Sequence, residues 1–143
     1  MSVYSTDFSD WTRQTAQLLR EHRWHEIDLA NLIDEVEDLG KSERRAIASQ
    51  LTRLLLHLLK WQYQPQRRPD SWLDSITDAR TQIDLAIQDS PSLRSYPAEQ
   101  LEDCYCRARR QAATQTKLDI STFPETCQYL LDLVLLDGWL PKA

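Results

Sequence analysis

The stretch His57-Leu-Leu-Lys60-Trp61-Gln-Tyr63-Gln64-Pro65-Gln-Arg67-Arg68-Pro69-Asp70-Ser71-Trp72 marks the place where one long helical pattern must stop and another begin. Upstream of it, Leu29, Leu32, Ile33, Val36, Leu39, Ile47, Leu51, Leu54, Leu55, Leu58 and Trp61 fall on one stripe at 100° per residue. Asp28 is a suitable N-cap for that pattern. A glycine inside a helix costs about 1 kcal/mol relative to alanine, so Gly40 is tolerable. The periodicity therefore predicts one helix over about 29–63, bent at Gly40 or, as the less favoured reading, divided there. Pro65 ends it, because its ring clashes with the preceding turn and it has no N–H to donate. Asp70 then caps a third helix, with Trp72, Ile76, Ala79, Ile83 and Ile87 facing inward.

Working outward, Thr6 is expected to cap a first helix that carries Phe8, Trp11, Thr15, Leu18 and Leu19 on one face. That pattern fades at Glu21-His22-Arg23-Trp24-His25, where an exposed turn with Trp24 docked on the core is preferred to a metal site built on His22 and His25. Asp89-Ser90-Pro91-Ser92-Leu93 stops the third helix. Tyr96-Pro97 opens a fourth, with the proline at its first turn and Leu101, Cys104, Tyr105, Ala108 and Ala112 on its buried face. Thr122-Phe123-Pro124 reads as a loop. Tyr129–Leu136, apolar at seven of eight positions, reads as a short helix that plugs one end of the bundle, with Trp139 and Leu140 sealing it, in preference to one that makes a partner interface. The expected fold is all-α: a compact antiparallel bundle of about four main helices plus a short C-terminal helix, one domain over residues 1–143.

Composition narrows the function classes. Among 143 residues there are two glycines, so hairpin turns should be scarce. The net charge of −5 argues against broad nucleic-acid binding. The N-terminal residues have neither a basic start nor an apolar core, so no secretory leader is expected, and no apolar run is long enough to span a bilayer. Cys104, Cys106 and Cys127 are odd in number, which points to free thiols and a cytoplasmic setting. Cys104 and Cys106 would point about 200° apart on a helix and so cannot easily share a metal. Gly40-Lys41-Ser42 echoes the tail of a phosphate-binding loop, but Glu35 stands where the first glycine is needed and no strand precedes it.

The candidate site residues lie along the polar edge of the long helix. Glu35, His57, Lys60 and Gln64 flank its apolar stripe, and Arg67 and Arg68 follow it. Glu35 and His57 would be about 33 Å apart on one straight helix, so they share a site only if the chain folds back or a second subunit intervenes. The plainer reading of Arg67 and Arg68 is that they bond the last carbonyls of the helix and complement its dipole. The plainer reading of His57 is an imidazole bonded to a backbone carbonyl. Trp61, Tyr63, Pro65, Asp70 and Trp72 form the structural signature of the stretch. No metal ligand set and no cofactor motif is found, and no catalytic residue can be assigned.

The strings Asp7-Phe8-x-x-Trp11, Leu32-Ile33-Asp34-Glu35-Val36-Glu37-Asp38-Leu39-Gly40, His57-Leu-Leu-Lys60-Trp61-x-Tyr63-Gln64-Pro65, Arg68-x-x-Ser71-Trp72, Asp89-Ser90-Pro91-Ser92-Leu93 and Phe123-Pro124 resemble the twenty-ninth of the bacterial families catalogued as domains of unknown function. The resemblance covers about residues 4–141 and implies a compact all-helical fold; it supplies no activity. The chain departs from the pattern at Asp34, in place of the first of two glutamates, and at Gln128, in place of a proline after the cysteine. The second departure suggests a last helix longer by a residue or two.

Three function classes remain. The favoured one is a protein-interaction or scaffold module without catalysis, whose partner is unknown, with a second copy of the chain as one candidate. Tyr, Trp and Arg, clustered at 61–72, are residue types that anchor interfaces. The alternative is an anion- or metal-binding bundle, or an enzyme, with a polar pocket at His57, Lys60 and Arg68. The least favoured is nucleic-acid contact through Lys60, Arg67, Arg68 and Arg107, Arg109 and Arg110.

Overall fold

The computed structural model of the chain describes residues 3–143. Its α-helices are α1 (Val3–Thr6), α2 (Phe8–Arg20), α3 (Leu29–Tyr63), α4 (Asp70–Asp89), α5 (Tyr96–Thr116) and α6 (Leu131–Val134), and no strand occurs among the described residues. The all-helical expectation holds, and so does the single long helix, which runs unbroken through Gly40. Backbone proximity divides the chain into two compact units, residues 1–42 and 43–143, with the division falling inside α3.

In the first unit, the start differs from expectation. Thr6 belongs to the short α1, and Asp7 is the N-cap of α2, its carboxylate accepting the Asp10 N–H at 2.9 Å. α2 ends in a Schellman motif. His22 takes the left-handed conformation at φ 58°, its N–H bonds the Leu19 carbonyl, and the Arg23 N–H bonds that of Leu18. His22 thus serves a helix end. Trp24 does not dock: it is 54% exposed, with its ring edge-on to His22. Asp28 caps α3 as expected: its carbonyl accepts the Leu32 N–H at 3.0 Å, and its carboxylate accepts the Asn31 backbone N–H at 3.4 Å and the Asn31 side-chain Nδ2 at 2.7 Å. Among the described residues of this unit, Trp11 and Thr15 are buried.

In the second unit, α3, α4 and α5 share one core. Leu51, Leu54, Leu55, Leu58 and Leu59 of α3 meet Ile76, Ala79 and Ile83 of α4 and Cys104, Tyr105, Ala108 and Ala112 of α5. The antiparallel run of α3 and α4 is visible in their cross-contacts. Glu43 accepts from the Ser90 hydroxyl, Arg53 pairs with Asp78 at 2.7 Å, and Lys60 lies over Trp72. As numbers rise along α3 they fall along α4. The small residues Ala108 and Ala112 of α5, both fully buried, let its neighbours approach closely. Cys104 is buried and Cys106 exposed, as the helical geometry requires.

Three details of this unit are corrected. Pro69, in an extended conformation, is the N-cap of α4, and Asp70 sits inside the first turn, where its charge still complements the helix dipole. Trp72 is only half-buried. The C-terminal segment is not a helix over 129–136: only Leu131–Val134 is helical, and Gln128 lies outside it. Its role as a plug survives. Val134 is fully buried, and Leu131, Leu135, Trp139 and Leu140 pack on the core.

Candidate functional site

The polar edge at residues 57–72 is drawn together by the end of α3 and the turn before α4. His57 Nδ1 lies 2.8 Å from the Arg53 carbonyl oxygen, so Nδ1 carries the proton in the neutral ring. Burial pushes the His57 imidazole below its ordinary pKa, aided by the charges of Lys60 and Arg53, while the carbonyl bond pulls the other way. The Lys60 ammonium sits 5.6 Å from the centre of the Trp72 ring. Burial, with the Arg67 charge nearby, lowers its pKa. The Arg68 Cζ lies over the Trp61 ring, 4.6 Å from its centre, and Nε donates to the Trp61 carbonyl at 2.9 Å. Gln64 is buried, its N–H bonding the Lys60 carbonyl and its own carbonyl accepting the Arg67 N–H. Tyr63 packs edge-on against Phe123. Pro65 follows the last helical turn.

This arrangement is a corner clamp. Arg68 satisfies a carbonyl that the end of a helix leaves unpaired, and two cation–aromatic pairs hold the turn on both sides. His57, Lys60 and Arg68 each have an internal partner, and Arg67 is exposed. Glu35 is not among their partners. It belongs to the first unit, where it accepts the Tyr4 hydroxyl at 2.6 Å and lifts the Tyr4 pKa to about 12.

The most telling polar residues of the second unit lie outside the 57–72 corner: the sequence did not single out Arg80, and it offered Arg109 only as a nucleic-acid contact. Arg80, 7% exposed, donates to the carbonyls of Val134 at 2.9 Å and Trp139 at 2.7 Å. Arg109 donates to the carbonyls of Phe123 and Ile120. Tyr105 and Tyr129 add bonds to the Pro124 carbonyl and the Gln62 side chain. Together they fasten the irregular C-terminal segment to α3, α4 and α5. One signal was available: Arg80 and Arg109 fall at the margin of the apolar stripes of their helices, where a long side chain lies along apolar surface with its head free to bond. A cleft of about 490 Å³ beside Arg80, lined also by Thr77, Asp84, Ile87, Leu135 and Asp137, is part of the same seam.

The first unit carries a different feature. Phe8, Trp11, Ala16 and Leu19 of α2 and Leu32, Val36 and Leu39 of α3 line an open groove of about 330 Å³, with Glu35 in its wall. Phe8, Val36 and Leu39 are 50%, 59% and 72% exposed, and Leu29 and Ile33 continue the exposed apolar surface along α3. The stripe expected to be buried along the whole of α3 is therefore buried only in the second unit. Its first half has α2 along one flank, and Ile33, Val36 and Leu39 remain exposed.

Among the described residues, no cluster of three or more His, Cys, Asp or Glu side chains is arranged to hold a metal ion, and no helix is long and apolar enough to cross a membrane. Fold and site together define a small all-helical protein with a clamped C-terminal segment and an uncovered apolar groove. The chain belongs to the family described as domain of unknown function DUF29, whose model matches residues 3–140. No curated protein and no solved structure shows a significant match to it.

Proposed function

We propose that this chain is a protein-interaction module without chemistry of its own, and that its contact surface is the groove of the first unit. The observation that carries the reading is the exposure of Val36 and Leu39 beside Phe8 on one continuous apolar face. Contiguous apolar surface of this kind on a folded protein marks an interaction site. The corner at 57–72 does not carry the reading. Its aromatic and cationic residues, suited by type to an interface, spend their contacts on each other. Cys104, Cys106 and Cys127 are free, which fits a cytoplasmic setting.

The test compares immobilised wild-type chain with the V36S/L39S variant in capture from lysate, and in size-exclusion light scattering. Both positions are exposed, so the variant is expected to fold with unchanged far-ultraviolet circular dichroism. A partner, or a second copy, held by the wild type and lost by the variant is the expected result. Wild type and variant alike in both measurements would overturn the reading.

A further inference from the structure

We propose that a cleft between α3 and α5, within the second unit, binds a small molecule carrying two phosphoryl groups, of the class of inorganic pyrophosphate or a sugar bisphosphate. The inference is independent of the groove in the first unit. The cleft has a volume of about 420 Å³, within the range of small-ligand sites, roughly 300–1,000 Å³. Arg45, Ser49, Thr52 and Arg53 come to it from α3, and Arg107 and Gln111 from α5. Helical geometry places residues 45, 49, 52 and 53 on one face within about 100°, and sets 107 and 111 one turn apart. Ala48 and Leu56 add apolar lining for a carbon frame.

Charge identifies the ligand. Three guanidinium groups line the cleft and, among the described residues, no carboxylate does. Residues 43–143 carry thirteen cations and thirteen carboxylates, so this excess of one sign is local. Elsewhere in the unit, Arg68, Arg80 and Arg109 are spent on backbone carbonyls. Arg45 and Arg107 form no ion pair and no side-chain hydrogen bond among the described residues, and neither do the Ser49 hydroxyl and the Gln111 amide. Arg53 gives Asp78 and Gln50 only its Nη1, which leaves Nε and Nη2. Asp103, one turn before Arg107, forms no ion pair with it and lies outside the lining. Unpaired like charges around one cleft repel each other and attract an anion. A guanidinium meets a phosphoryl group through a fork of two parallel bonds. The phosphoryl group offers three strong acceptor oxygens, so forks can approach it from several directions, whereas a planar carboxylate offers two. Arg45 and Arg53 stand about 12 Å apart in helix rise, which suits two phosphoryl groups better than one. No aromatic side chain lines the cleft, so a nucleobase or a single strand of nucleic acid finds no surface to stack on.

Isothermal titration calorimetry on the full chain, in magnesium-free buffer, gives the test, with inorganic pyrophosphate, citrate and an oligothymidylate as probes. The variants are Arg45→Gln and Arg107→Gln, with Arg94→Gln outside the cleft as the charge control. All three positions are exposed, so the variants are expected to fold. The expected result is one pyrophosphate per chain. Binding should weaken at least about tenfold in R45Q or R107Q, through loss of a charged hydrogen bond, and change less than about twofold in R94Q. On the wild type alone, pyrophosphate should protect Arg45 and Arg107, and not Arg94, from phenylglyoxal, read by mass spectrometry. No binding up to about 1 mM pyrophosphate, equal affinities in the wild type, R45Q and R107Q, or uniform labelling of the three arginines would overturn the site. Citrate bound as tightly as pyrophosphate would overturn the phosphoryl ligand. A tighter oligothymidylate, lost in R45Q and R107Q, would overturn the small molecule and make the cleft a nucleic-acid contact.

Discussion

Arg80 shows how one side chain holds a segment that has almost no secondary structure of its own. Its guanidinium reaches the carbonyls of Val134 and Trp139, which no helix or sheet partner satisfies. A hydrogen bond from a charged donor contributes about 1.5–3 kcal/mol, and removing the donor leaves buried acceptors bare. Arg80→Leu should therefore lower stability by about 3 kcal/mol in urea titration, and Arg80→Lys should rescue little, because a point ammonium cannot span two carbonyls as the planar fork does. His57 gives a prediction of a different kind. Its folded-state pKa is depressed by burial, so the unfolded chain takes up the proton first as pH falls. Its contribution is complete above the unfolded value near 6.5 and is lost as pH falls through that value toward the folded one. Melting temperatures measured over this range should drop more steeply for the wild type than for His57→Gln. His22 and His25 lie in an exposed turn.

At the scale of elements, the helix ends carry the sharpest expectations. His22 and Lys117 both occupy the left-handed region, at φ 58° and 61°, where a glycine avoids the clash of Cβ with the backbone. His22→Gly and Lys117→Gly should each stabilise by about 0.5–1 kcal/mol, read as a rise in melting temperature. Gly138 is the converse. It sits at φ 82° with open space around it, so Gly138→Ala should cost about 1 kcal/mol from backbone strain alone. α3 is the element on which the reading of the chain turns. Its pattern is continuous over 35 residues, yet burial is confined to the part from Ile47 onward. Periodicity reports which residues of a helix can be buried together; what covers them is supplied by other elements.

On the scale of the whole molecule, the two units differ in how much they bury. The first has Trp11 and Thr15; the second has a shared core from Ala48 to Val134. Local opening free energy follows buried apolar contact. Amides of Leu51–Leu59 should exchange slowest in hydrogen-exchange measurements, and those of Phe8–Arg20 should exchange faster by at least about two orders of magnitude, a gap of some 3 kcal/mol. Equal protection of the two segments would show that the first unit is covered in solution by something beyond its own chain.

The helices, the cap at Asp28, the stop at Pro65 and the opposite faces of Cys104 and Cys106 were legible in the sequence because each depends on local spacing and backbone chemistry. The corner at His57–Trp72 was legible in outline for the same reason, including the carbonyl bonds of Arg68 and His57. What the tertiary structure alone decided is which apolar residues find cover. The open groove at Val36 and Leu39, the carbonyl clamps of Arg80 and Arg109, and the collapse of 129–136 to one helical turn all depend on residues far apart in the chain. Apolar spacing cannot reveal them, because an exposed stripe and a buried one are written with the same residues.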